Sequence, residues 1–103
     1  MAGFHPDVWD DLNAAAEYYA PHDPDLPMRL YQDAVQAAEL AKQFPKAGRV
    51  AFGDVRRRPL RHFPYLLLYL EVENTVWVVA LLHGRRGPES VQSQVRGRLS
   101  DRT

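Results

Sequence analysis

At 103 residues the chain is the size of one domain, and 46% hydrophobic residues are enough for one core, with a stability of roughly 5–15 kcal/mol. There is no cysteine, which excludes disulfides and thiolate metal sites. No apolar run approaches the ~20 residues of a membrane span and no signal-peptide core opens the chain, so a cytoplasmic protein is expected.

The net charge of zero conceals two halves of opposite sign. Up to Lys46 there are three basic residues (Arg29, Lys42, Lys46) against eight acidic ones, and from Ala47 onward ten against five. Eleven of the thirteen basic residues are arginine, whose planar fork suits phosphate and carboxylate. A polyanion or an acidic protein is the expected partner, and the alternative is a solvated basic face with no ligand.

In chain order, residues 2–5 can form at most a stub of strand. Pro6 suits the first turn of a helix, and Asp7, Asp10 and Asp11 sit where the positive helix end favours anions. Val8, Leu12, Ala15, Ala16 and Tyr19 recur at helical spacing on one side. Pro21, Pro24 and Pro27 fill a short connector. A second helix is predicted over 27–43, with Met28, Tyr31, Ala34, Val35, Ala38 and Ala41 on its packing face, and Phe44-Pro45 stops it. The short connector favours an antiparallel helical hairpin spanning 6–44.

Beyond Gly48 the periodicity becomes strand-like. Residues 50–52 are extended, Gly53-Asp54 turn, and 55–60 form a strand whose pairing Pro59 limits. Residues 65–73 are a nearly continuous apolar strand, which predicts burial on both sides. A turn at 73–75 returns the chain into a second apolar strand over 76–83. The sheet thus lies within 50–83. The polar tail at 84–103 can close as a short helix or stay loose. The expected fold class is α+β: one domain, 1–103, with a helical hairpin across a small, mainly antiparallel sheet.

Basic residues cluster just before the central strand (Arg56, Arg57, Arg58, Arg61) and just after the last one (Arg85, Arg86). Hairpin pairing brings those ends together and predicts one cationic surface, although Arg56 and Arg58 should face away from Arg57. The four histidines, at 5, 22, 62 and 83, lack metal-ligand spacing and a carboxylate cluster, so no metal is expected. No phosphate loop or activated nucleophile is legible. Arginines can hold a scissile phosphate, but RNA cleavage also needs a base and an acid. His62 and His83 are the only nearby choices, each beside arginines that disfavour its protonated form. Tyr65 and Tyr69 share strand parity and read as core, and Phe63-Pro64 as a packing anchor.

The order of Phe4-His5-Pro6, Tyr18-Tyr19, Phe44-Pro45, Val55-Arg56, Leu60-Arg61-His62-Phe63-Pro64-Tyr65, Tyr69 and His83-Gly84-Arg85-Arg86-Gly87-Pro88 resembles the RelE/ParE superfamily of bacterial type II toxin–antitoxin toxins. The likeness covers residues 4 to about 98. It implies a growth-inhibiting toxin without a cofactor, held inactive by a cognate antitoxin that folds onto it. RelE-like members cut messenger RNA on the ribosome, and ParE-like members inhibit DNA gyrase.

Carried over residue by residue, the nuclease pattern is incomplete. The arginine expected after the strand-opening tyrosine is Leu66. The arginine after the last strand is Arg86, and the catalytic aromatic falls at Val91-Gln92. The expected lysines correspond loosely to Arg57, Arg58 and Arg61. Phe63-Pro64-Tyr65 leans to the ParE-like side, so gyrase inhibition is the expected activity. Arg56, Arg57, Arg58, Arg61, Arg85 and Arg86 are then the contact set for target or antitoxin. The alternative is a nuclease with a remodelled site, where Arg58, Arg61 and Arg86 hold phosphate and His62 or His83 moves the proton. A non-toxic binding module is the third reading. It is motivated by how little of the superfamily's first strand precedes Pro6.

Overall fold

The computed structural model describes residues 3–100. Its elements are β1 (Gly3–Phe4), α1 (Asp7–Tyr19), α2 (Leu26–Gln43), β2 (Arg49–Phe52), β3 (Val55–Pro59), β4 (Tyr65–Val72), β5 (Thr75–His83) and α3 (Pro88–Ser100). The five strands form one sheet in the order β1-β5-β4-β3-β2. All neighbours are antiparallel except β1 and β5, which run parallel. The α+β architecture expected from the sequence is the one found.

Helices cover both faces. On one, Val8, Leu12 and Ala15 of α1 and Leu30, Ala34, Ala37, Ala38 and Ala41 of α2 pack with Leu67, Tyr69, Val76, Val78 and Leu81. On the other, Val91 and Val95 of α3 pack with Val55, Leu68, Val79, Ala80 and Leu82. The apolar run of β4 is therefore needed at every position, odd residues towards the hairpin and even ones towards α3. Each such aliphatic side chain, fully buried, contributes roughly 1.5–3 kcal/mol. The tail left open between helix and loose chain is helical because Val91 and Val95 have this second face to cover.

The β4–β5 hairpin turns through Glu73 and Asn74, both with positive φ (52° and 65°), the geometry whose twist matches paired strands. Further along, Leu68 pairs with Ala80 but Tyr69 with Val78, so Val79 is an extra residue in β5. This bulge puts the neighbours Val79 and Ala80 on the same, α3-facing side of the sheet, while Val78 faces the helical hairpin.

The packing face of α2 differs from expectation. Met28, Tyr31 and Val35 are exposed (60%, 47% and 42%), while Leu30 and Ala37 join Ala34, Ala38 and Ala41 in the core. α2 carries two adjoining apolar stripes, and the one rich in alanine faces inward because it lets the helix lie close to α1 and the sheet. Asp33, also on the inward side, is buried (7%). Its carboxylate accepts the backbone N–H groups of Arg61 (3.2 Å) and His62 (2.7 Å), and so fixes the β3–β4 loop to the helix.

β1 pairs through Gly3 and Phe4 with Trp77 and Val78, and the His5 N–H donates to the Val78 carbonyl. Pro6 then turns the chain into α1. Beyond Val78 the edge of β5 is closed by side chains instead. The Leu81 N–H donates to Asp11 Oδ2 (2.9 Å), and Arg98 Nη1 donates to the Val79 carbonyl (2.9 Å). Among the described residues no helix is long and apolar enough to cross a membrane.

Candidate functional site

The sequence placed the chemistry at the two ends of the β4–β5 hairpin, and those ends do meet. Tyr65 is the register partner of His83, and the Gly84 N–H donates to the Pro64 carbonyl (2.8 Å). Tyr65 and His83 stack edge to face, with centroids 5.2 Å apart. The arginines, however, do not form one surface.

Arg56 is consumed by the fold, for its Nη1 donates to the carbonyls of Gly48 (2.7 Å) and Lys46 (3.2 Å). Arg58, on the same face, is half-buried, with its Nε fully enclosed and without a hydrogen-bond partner. Arg85 is exposed, and its backbone N–H donates to His83 Nδ1. Arg61 belongs to a separate cleft against α2, lined also by Arg29, His62 and Phe63.

Arg57 and Arg86 do come together, on the α3 side. They line a groove of about 330 Å3 between β2, the start of β4 and the first turn of α3, with Leu66, Val91 and Gln92. Arg86 hydrogen-bonds the Gln94 side chain. Arg49 is the register partner of Arg57, so two like charges face each other across β2 and β3. Such a pair opposes folding, which makes this basic strip a candidate surface for an anionic partner.

This groove gathers the positions that the RelE-like resemblance marks: the residue after Tyr65, the arginine after the last strand, and the residues six beyond it. Here they are Leu66, Arg86 and Val91-Gln92, and the leucine, valine and glutamine carry no ionisable group. His62 is not in the groove. Its side chain is 70% exposed, and its Nδ1 lies 3.7 Å from Asp33. Tyr65 packs against the hairpin core, and burial, then the neighbouring Tyr19 and Tyr18, raises its hydroxyl above the usual 10.0. Tyr69 is fully buried, and its hydroxyl donates to the Pro45 carbonyl (2.8 Å). Both tyrosines are core, as expected, and Phe63 anchors against Tyr19, with centroids 5.1 Å apart. Among the described residues no cluster of His, Cys, Asp and Glu could hold a metal ion.

Two residues that the sequence reading passed over are central. Asp33 stood out as a carboxylate inside an apolar stripe. Arg98 carried no local signal, since its partner Asp11 is 87 residues away.

Comparison with known proteins identifies the fold and the family. The family model described as the ParE toxin of the type II toxin–antitoxin system parDE matches residues 3–88. Toxin ParE2 of Mycobacterium tuberculosis, in strains CDC 1551 / Oshkosh and ATCC 25618 / H37Rv, is 35% identical over 95 residues, or 91% of this chain and 90% of its own. A solved structure of the chromosomal ParDE toxin–antitoxin system from P. aeruginosa superposes with a TM-score of 0.72 at 18% identity, covering 81% of this chain and 94% of that one. With five strands in the same fold and the family match across most of its length, this chain belongs to the ParE toxin family of type II toxin–antitoxin systems.

Proposed function

We propose that this toxin acts by binding DNA gyrase and that a cognate antitoxin neutralises it. The observation that carries the reading is the α3-side groove, where Arg57 and Arg86 converge on Leu66 and Gln92. It offers charge and shape to a partner but no residue to take or give a proton. A toxin so built acts by occupying a surface, and the strip of Arg49, Arg57 and Arg86 supplies the charge that steers it there. The test is a supercoiling assay with purified gyrase. Supercoiling should fail at micromolar toxin and recover on adding antitoxin, and Arg57→Ala with Arg86→Ala should blunt the effect. Unaffected supercoiling would remove gyrase as the target.

The second reading, ribosome-dependent cleavage of messenger RNA, expected Arg58, Arg61 and Arg86 to hold phosphate; of these only Arg86 lines the groove, where Arg57 stands beside it. It requires His62 or His83 to move the proton, and neither lines the groove. Mapping transcript ends after induction separates the readings, since intact transcripts exclude cleavage.

A further inference from the structure

On the opposite side of the sheet lies a larger cleft, of about 710 Å3, between the first half of α2 and the β3–β4 loop. Arg29 stands on its helical wall and Arg61 on its loop wall. Both are exposed, and among the described residues neither has an ion-pair or hydrogen-bond partner for its guanidinium. For Arg29 this is unexpected. It is the only basic residue before Lys42, and acidic residues flank it one helical turn away on either side, at Asp25 and Asp33. Neither pairs with it. Asp33 is instead committed to the loop amides of Arg61 and His62.

We infer that this cleft seats an acidic, partly apolar segment of the antitoxin, with one carboxylate held between Arg29 and Arg61. The inference rests on the toxin–antitoxin reading above. Three features select a peptide over a free ion. The buried Asp33 carboxylate at the cleft disfavours a small, multiply charged anion such as phosphate, while a single carboxylate meets two guanidiniums for one opposing charge. Leu26 and Phe63 add apolar wall for a neighbouring side chain. Gln32 and Gln36, one turn apart on α2, present amides that both donate and accept, which suits a peptide backbone. Because the cleft and the α3-side groove lie on opposite faces of the sheet, the seat is distinct from the strip assigned to the target.

The experiment uses the full chain and the protein encoded beside it in its operon, purified separately, with affinity measured by calorimetry at low and high salt. The Arg29→Ala/Arg61→Ala double variant should lose about 30-fold or more in affinity. Lys42→Ala/Lys46→Ala, which removes the same charge outside the cleft, should change it little. Both altered arginines are exposed and, among the described residues, without partners, so the thermal midpoint should stay that of the parent. Equal loss in both double variants would reduce the effect to overall charge and overturn the cleft. Unchanged affinity in the cleft variant would overturn it and leave the toxin–antitoxin reading standing. Failure of the neighbouring protein to bind the parent chain would overturn both. Gyrase inhibition lost with antitoxin affinity intact would reassign the cleft to the target and overturn the inference.

Discussion

Asp11 and Arg98 form a two-pronged ion pair, with Nη1 to Oδ2 at 2.6 Å and Nη2 to Oδ1 at 2.8 Å, that joins α1 to the last turns of α3 across the edge of β5. Both side chains are about nine-tenths buried, at 11% and 9% exposed, and each also satisfies a backbone group of β5. Asp7 adds a second carboxylate 3.6 Å from Arg98 Nε.

Removing one member of this pair leaves a buried charge and an open strand edge. Arg98→Ala or Asp11→Ala should therefore cost about 3–5 kcal/mol in urea denaturation. The double variant should cost clearly less than the sum of the two. Hydrogen bonding to Asp11 is the main cause that raises the Arg98 guanidinium above the usual arginine value. A raised basic group stabilises fully below its unfolded value and loses that contribution only above it. The pair should thus show no pH dependence from Arg98 through the neutral and moderately alkaline range.

Asp33 holds the β3–β4 loop through two backbone amides. Asp33→Asn keeps one acceptor and leaves one part-buried N–H without its charged partner, a loss of about 1 kcal/mol or more. Amide exchange at His62 should accelerate more than exchange in β4, because the loop opens before the sheet.

Gly48 lies against the Tyr69 hydroxyl and within 3.0 Å, for an added Cβ, of the Arg57 carbonyl. Gly48→Ala should destabilise by roughly 1–3 kcal/mol, as overpacking does. Tyr69→Phe alone deprives the Pro45 carbonyl of its donor and should cost about 1–3 kcal/mol. Combined, the two should be less damaging than their sum, since removing the hydroxyl makes room for the methyl. Thermal melts of the four proteins decide this.

Burial raises the hydroxyls of Tyr19 and Tyr65 above the usual 10.0, and neighbouring tyrosines add to it. Between the unfolded and the folded values the native state holds more protons, so stability falls as pH rises past 10. Tyr19→Phe with Tyr65→Phe should flatten that alkaline decline while leaving stability at pH 7 nearly unchanged. A chemical denaturation series from pH 7 to about pH 11 would show it.

The sequence exposed the hairpin, the strands and the meeting of Tyr65 with His83 because each depends on local periodicity or on a two-residue turn. It did not expose which stripe of α2 faces inward. Met28, Tyr31 and Val35 repeat as regularly as Leu30, Ala34 and Ala37, and only the distance to α1 and the sheet chooses between them. The arginine run failed for a related reason. Arg56 and Arg57 alternate faces of β3, so Arg56 ends on backbone carbonyls and Arg57 in the α3-side groove, while Arg61 lies beyond the strand and the β3–β4 loop carries it to the cleft against α2. Arg98 was illegible because nothing near it in sequence hints at Asp11. Arg29 was legible in principle, as the lone cation in an acidic stretch with carboxylates on both sides.

The closure of β5 by Asp11 and Arg98 also governs how copies of the chain can associate. A sheet that is open at both edges is a template for unlimited head-to-tail stacking. Here one side ends in a two-residue strand and an ion pair, and among the described residues β2 offers the longer row of backbone groups to an incoming strand. Joining of two molecules along β2 uses that row on both and leaves nothing to extend. Strand pairing between copies is thereby directed to β2, where it closes at two chains instead of extending.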